Sequence, residues 1–435
     1  MAYPHSRHAG AVAPIKPPGQ ERRVKHQPSI RRTFLFLQGP PGPFFWMLGQ
    51  RLEAEGHRVH RINFNGGDRA SWPGRAIDYR GTDADWPRFF DSYVADERVT
   101  DLVLFGDCRP MHRAAHGMAT LRKLRIHVME EGYIRPDWMT LELDGVNGNS
   151  TLSRDPNWYL AEARDLPPLP TYPPVASSFE RRAKEALAYY AQTLLQFWRF
   201  PHYRSHRPQF ALLESYGWFW RLAARAKARR RTEAVFESLG SSPYFAFPLQ
   251  LNSDHQIRTH SPFGSMKVAV EYVIESFARA APPEVKLLVK EHPLDNGLIN
   301  WRRLVGTVAE AHGVADRVLL LEEGDIAKIV ADARGVVTIN STTGTLALSA
   351  GVPVAVLGQA VYHIAGITHQ GPLDTFWRTP RPPRPELYDA FCRVLLNRCL
   401  IRGGFLSDEG LELLVSAATA RLTGDSVGLL APKTL

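Results

Sequence analysis

The chain has 435 residues, 44% hydrophobic and 22% charged, a balance that excludes a disordered or fibrous protein and leaves room for about two domains of ~200 residues. Three scattered cysteines (Cys108, Cys392, Cys399) exclude a disulfide framework, and no run of eighteen apolar residues is present to span a membrane. The net charge of +9 is unevenly placed along the chain.

Residues 1–32 read as a flexible, Pro-rich basic arm with no apolar stretch of the secretory kind, so a cytoplasmic location is expected. "TFLFLQ" (33–38) predicts a strand, and Phe44, Phe45, Leu48 and Leu52 then fall at helical spacing before "HRVHRINF" returns as a strand. "VTDLVLFGD" and "RIHVME" predict further strands around the helix "MHRAAHGMATLRKL". This alternation over 33–155 predicts a parallel sheet with right-handed crossovers. "GPPGP" (39–43) lacks the third glycine of a dinucleotide fingerprint and the Lys-Ser/Thr of a P-loop, and reads as a rigid turn. His112 and His116 can share a helix face, but no third ligand is in view and no metal is expected.

The pattern changes over 156–240. "DLPPLPTYPP" is a break, and 179–231 looks largely helical, with Leu187, Tyr190, Leu194 and Phe197 on one stripe. Within it, 199–231 carries nine Lys/Arg against one acid, interleaved with Trp and Phe. That composition suits a solvated helix face, an anionic membrane surface or nucleic acid. No helix-turn-helix, zinc-finger or RNA-binding signature supports the last. A second α/β pattern covers 241–378, and 379–435 reads as a helical tail. The expected fold class is α/β: two Rossmann-type domains facing a central cleft, with a helical basic insertion between them.

Four segments carry candidate chemistry. "HVMEEGYIRPDW" (127–138) ends a strand with Glu130, Glu131 and Gly132. "VVTINSTTGTLALSAGVPV" (336–354) places Asn340, Ser341, Thr342, Thr343 and Gly344 where a strand meets a helix. Hydroxyls and free N–H groups there suit a phosphate, although one hydroxyl would serve as a plain N-cap. "LLVKEHPLDNG" (287–297) sets Lys290, Glu291, His292 and Pro293 after a strand, and "FPLQLNSDHQIRTHSP" (247–262) adds Gln250, Asn252, Asp254 and Arg258. Glu-Glu-Gly recurs in "LEEGD" (321–325), where Asp325 as an N-cap accounts for the turn without chemistry. "GDCRPMH" offers Asp107, Arg109 and His112, for an anion or for a local salt bridge.

Taken together, Glu130-Glu131-Gly132, His292-Pro293 and Ser341-Thr342-Thr343 resemble motifs of bacterial transferases that use CMP-activated nonulosonic or octulosonic sugars. The wider wording, "EEGYIRPDW", "GDCRPMH", "LQLNSDHQI", "KEHP", "INSTTGTLAL" and "YHIAGITH", resembles capsule polysaccharide biosynthesis and export proteins of the KpsS/LipB type over about residues 33–378. The resemblance implies a GT-B glycosyltransferase that moves Kdo from CMP-β-Kdo, with retention, to a lysophosphatidylglycerol acceptor at the inner face of the inner membrane. It implies no cofactor beyond the donor and no nucleic-acid partner, with capsule biosynthesis or export proteins as further partners.

On that reading Glu131 is the nucleophile, or the base if the reaction inverts, and Glu130 is structural or tunes it. His292 and the hydroxyl loop hold the departing phosphate, aided by Lys290, Pro293, Gln250 and Asn252. Asp107, Arg109, His112 and Arg135 face the acceptor or the Kdo carboxylate. The alternatives are a later linker position, another CMP-sugar, or a non-catalytic membrane-docking component of an export assembly.

Overall fold

In the computed structural model the described residues are 31–134, 137–176, 178–204, 221, 224–252 and 255–424. Arg135, Asp254, most of the basic arm and most of 205–223 therefore lie outside the described residues.

The first half of the chain builds β1 (Thr33–Phe36), β2 (Arg58–Asn63), β3 (Ile77–Asp78), β4 (Asp101–Phe105), β5 (Arg125–Glu131) and β6 (Trp138–Leu143). The second half builds β7 (Tyr244–Pro248), β8 (Lys286–Lys290), β9 (Val318–Leu321), β10 (Gly335–Thr338) and β11 (Val354–Val356), then β12 (Leu400–Arg402). Two sheets result, ordered β12-β6-β5-β4-β1-β2-β3 and β11-β10-β7-β8-β9. The second is parallel throughout. The first is parallel from β3 to β5, and then β6 and β12 join antiparallel.

The central strands are apolar runs without alternation because both of their faces are covered. Phe34, Phe36, Val103 and Met129 pack under the helices Phe44–Ala54 and Asp408–Thr423. Leu35, Leu102, Leu104 and Val128 pack on the other face, against Trp86–Asp96 and Pro110–Leu121. The second sheet has the same two-sided core. Phe44, Phe45, Leu48 and Leu52 form the buried stripe that their spacing predicts.

Two local expectations need correction, and one stripe shows a direction that its spacing left open. Residues 379–435 are not only a helical tail: β12 pairs with β6, with Ile401 opposite Met139, and the following helix lies on Phe44–Ala54. The chain thus returns to complete the first domain, and "LIR" is too short for periodicity to show it. The stripe through Leu187, Leu194 and Phe197 on the helix Phe179–Leu195 and the turn after it faces outward, while Tyr189 is buried. In the Ser/Thr segment β10 stops at Thr338 and the helix runs from Thr343 to Ser349, so Asn340, Ser341 and Thr342 form a separate connecting turn.

The two sheets meet at the carboxyl ends of their strands. Cys108, just past β4, touches His260, past β7, and Tyr133, past β5, touches Thr345, past β10. This is the two-domain, GT-B-like architecture. At the opposite ends of the first sheet, Arg32 and His127 bind the buried Asp101. Burial opposes ionisation of Asp101, yet these bonds outweigh it and hold its carboxyl well below the usual range.

Candidate active site between the two sheets

Adjacent residues on a strand point to opposite faces, and this separates the two carboxylates. Glu130 lies on the face of Gly106, whose added Cβ would stand 3.3 Å from its Oε2. Glu131 lies on the other face and accepts a hydrogen bond of 2.7 Å from Arg182 Nη2. It lines a pocket of about 170 Å³ with Gly132, Asp137, Arg182, Gly403 and Phe405. Gly132 is required by packing: its N–H donates to Trp138 O at 3.1 Å, and a Cβ would sit 2.2 Å from that oxygen. Asp137, at the pocket edge, holds a left-handed backbone with φ of 76°.

Tyr133 ties this loop to the second domain. Its carbonyl accepts from Thr345 Oγ1 at 2.8 Å, and its ring is part of the second domain's core. Its hydroxyl donates to the buried Glu142 on β6 and accepts from Asn147 N at 2.7 Å, while Ser150 Oγ adds a 2.5 Å bond to the same carboxylate. Burial pushes the Glu142 carboxyl up to about 7 despite these donors.

The "GDCRPMH" residues separate by role. Asp107 accepts from Val146 N at 3.2 Å and Asn149 Nδ2 at 3.0 Å. Cys108 Sγ lies 3.2 Å from Asp107 Oδ1 and 3.1 Å from His260 Nε2, and burial pushes its thiol well up. Asp107, Cys108 and His260 are the one group among the described residues with the ligand-type atoms for a metal ion. Their ligand-type atoms lie within 4.8 Å of one another and contact each other through Cys108 Sγ. Arg109 donates to Gln38 O and lies over the Phe105 ring, and His112 Nδ1 binds Gly106 O at 2.6 Å inside the domain. Both local contacts hold the loop itself.

Across the seam, Gln250 and Asn340 bond reciprocally, Nε2 to Oδ1 at 2.8 Å and backbone N to Oε1 at 3.2 Å, locking the ends of β7 and β10 together. Ser341 Oγ accepts from Thr343 N and donates to Thr343 Oγ1, each at 3.1 Å, so it serves as the local cap. Gly344 leaves space for Tyr362, whose hydroxyl binds Ser341 O; a Cβ there would meet that hydroxyl at 2.4 Å. Asn252 Oδ1 accepts from Ser265 Oγ and Met266 N at the start of the helix Met266–Ala280.

Past β8, Lys290 Nζ donates to the carbonyls of Glu291 and Glu322, and burial draws its ammonium down to about 8. Glu291 is pushed up to about 7 by burial, against the pull of Arg221. His292 Nδ1 accepts from Leu294 N at 3.0 Å, so a neutral His292 carries its proton on Nε2. Pro293, which follows, is exposed. The second Glu-Glu-Gly string behaves as expected: Asp325 caps the helix Ile326–Ala331 through Ala327 N, and Glu322 is clamped by Arg231 and Arg302.

The residues that sequence reasoning missed are Arg182, Cys108, His260 and Thr345. Arg182 lies in a helix of ordinary amphipathic appearance, 51 residues from its partner Glu131. Cys108 and His260 are 152 residues apart and meet only because the strand ends converge. Thr345 was hidden beside three other hydroxyl residues.

Comparisons with known proteins agree with the motif resemblance. The capsule polysaccharide biosynthesis protein family matches residues 100–406. The capsule polysaccharide modification protein LipB of Neisseria meningitidis serogroup A is 34% identical over 386 residues, covering 86% of this chain and 92% of that protein. The capsule polysaccharide export protein KpsS of Escherichia coli is 34% identical over 372 residues, covering 84% and 94%. Among solved structures, the KpsC beta Kdo 2,7 transferase of Thermosulfurimonas dismutans is 14% identical, covers 88% of this chain and 99% of its own, and has a TM-score of 0.41. The chain belongs to the family of capsule polysaccharide biosynthesis proteins.

Proposed function

We propose that the protein is a glycosyltransferase that moves Kdo from CMP-β-Kdo, with retention, to a lysophosphatidylglycerol acceptor, beginning the poly-Kdo linker of a capsular polysaccharide. The single observation that carries this reading is the Thr345–Tyr133 bond. It brings Tyr133, two residues past Glu131, against Thr345, two residues past Thr343, and so supports a reading in which the carboxylate loop and the Ser/Thr segment serve one donor. The family, the relatives' roles in capsule modification and export, and the order of the motifs support the same reading.

Glu131 then attacks the anomeric carbon as CMP departs, forming a glycosyl-enzyme ester that the acceptor hydroxyl opens. Arg182 orients that carboxylate. His292 donates from Nε2 to the phosphate as negative charge builds on it, and the Thr342 and Thr343 side chains approach the same group. The location that follows is peripheral, on the inner face of the inner membrane. No helix among the described residues is long and apolar enough to cross a membrane.

The test is transfer. Protein incubated with freshly generated CMP-Kdo and a fluorescent lysophosphatidylglycerol should yield a lipid heavier by one Kdo. Transfer only to a Kdo-terminated acceptor would move the protein to a later linker position. Absence of transfer from every CMP-sugar would end the catalytic reading.

A further inference from the structure

The helix Phe179–Leu195 and the turn Phe197–Arg199 present an apolar stripe to solvent. Leu187 and Leu194 are each 72% exposed, Phe197 69%, Leu195 66% and Trp198 61%. Their spacing places Leu187, Leu194, Leu195 and Trp198 along one side of the segment, with the exposed Ala188 and Ala191 between them. Large apolar side chains grouped in this way are uncommon on a monomer without a partner for them.

The stripe does not hold the helix in place, because the opposite face does so with polar contacts. Tyr189 is buried, and its hydroxyl bonds Gln38 at 2.7 Å and both Asn65 and Asp68 at 2.9 Å. Thr193 Oγ1 bonds Gly67 N and Asn65 Oδ1, each at 3.2 Å. Gly66 and Gly67 admit the helix backbone so closely that a Cβ at either would meet Gln192 O at 2.2 Å or Tyr189 O at 2.6 Å. The polar lock therefore fixes which way the leucines point.

Charge identifies the partner. From residue 186 to 204 the chain has no acidic residue but carries Arg199, His202 and Arg204. The two glutamates earlier on the helix are neutralised locally, Glu180 by Lys184 at 2.6 Å and Glu185 by Arg181 at 3.0 Å. Arg199 lies over the Trp198 ring, 4.8 Å from its centroid. Leucines beside a Trp–Arg pair and an acid-free basic stretch match an interface where rings and aliphatic chains enter the headgroup layer and cations meet phosphate.

We infer that Leu187, Leu194, Leu195, Phe197 and Trp198 form the surface that docks this protein onto an anionic phospholipid bilayer. This rests on the transferase reading above for its purpose, a lipid acceptor, and not for its geometry.

The experiment is flotation of the full-length protein with phosphatidylcholine vesicles, with and without about one-third phosphatidylglycerol. Leu194→Glu/Leu195→Glu and Arg199→Glu/Arg204→Glu are compared with wild type, and thermal melts check the fold. Wild type should float with the anionic vesicles, and each double variant should bind at least about tenfold more weakly with an unchanged melt. Wild-type flotation of the leucine variant overturns the proposal. So does a dimer in sedimentation velocity that this variant dissociates while no form binds vesicles. Transfer to a detergent-dispersed acceptor separates the two claims: its persistence in a non-binding wild type removes only the docking surface, and its absence in a bound wild type removes only the catalytic reading.

Discussion

The same three letters, Glu-Glu-Gly, occur at 130–132 and 322–324, each at the carboxyl end of a strand, and the structure gives them different work. At the second string Glu322 is held by Arg231 and Arg302, and those bonds keep its carboxyl below the ordinary range despite partial burial. Glu323 faces Arg225, Gly324 takes a φ of 122° that favours glycine, and Asp325 starts a helix. Each residue there has a structural task. At the first string Glu131 opens onto a pocket, Glu130 faces the Asp107–Cys108 loop, and the next residue, Tyr133, grips the other domain. The lesson concerns position. β5 ends at the seam between the sheets, whereas the turn after β9 is engaged by the arginine-rich helix Arg225–Leu239.

The comparison can be broken most directly at the carboxylates. Glu131→Gln should lower the transfer rate about a thousandfold or more with an unchanged melting temperature, while Glu323→Gln should leave the rate within about twofold. Next in size is His292→Ala, expected to reduce kcat by about a hundredfold through loss of the Nε2 donor, and measured by the same product assay. A smaller effect separates the glycines. Gly132→Ala pushes a methyl into the Trp138 carbonyl and should cost about 2–3 kcal/mol by urea denaturation. Gly324→Ala has its nearest neighbour at 3.1 Å and suffers mainly from its backbone angle, so about 1 kcal/mol is expected.

A further effect, no larger than that of Gly132→Ala, is a pH dependence. Glu142 beneath the first string has its carboxyl raised to about 7 by burial, from an ordinary 4.5. The folded state therefore holds a proton that the unfolded chain releases, and stability falls as pH rises between those two values. The contribution lost is at most ~3 kcal/mol across that window. Glu142→Gln should remove part of the fall in melting temperature between pH 4.5 and 7, the part that remains belonging to Glu291, and wild-type steepness in that variant would place the titration elsewhere.

Much of the fold was legible because strands covered on both faces are written as unbroken apolar runs, such as "TFLF" and "DLVLF", and the helix Phe44–Ala54 shows its spacing plainly. β12 was not, since three residues carry no period, and its place is set by an edge that β6 leaves open. The motifs themselves were legible, but the orientation of their side chains was not. Nothing in the order Glu130-Glu131 says which carboxylate meets Arg182, because that depends on the register of β5 against β6. Lys290 and Asn252 carry the right chemistry for a donor site. The structure shows what they hold, backbone carbonyls and a helix start, which follows from neighbours distant in the chain.

The most direct measurement of the central claim is a side-by-side transfer assay of wild type, Glu131→Gln and Glu323→Gln, with CMP-Kdo and lysophosphatidylglycerol and products read by mass spectrometry. The account predicts a lipid heavier by one Kdo from wild type and Glu323→Gln and none from Glu131→Gln. Product from Glu131→Gln at the wild-type rate would contradict it.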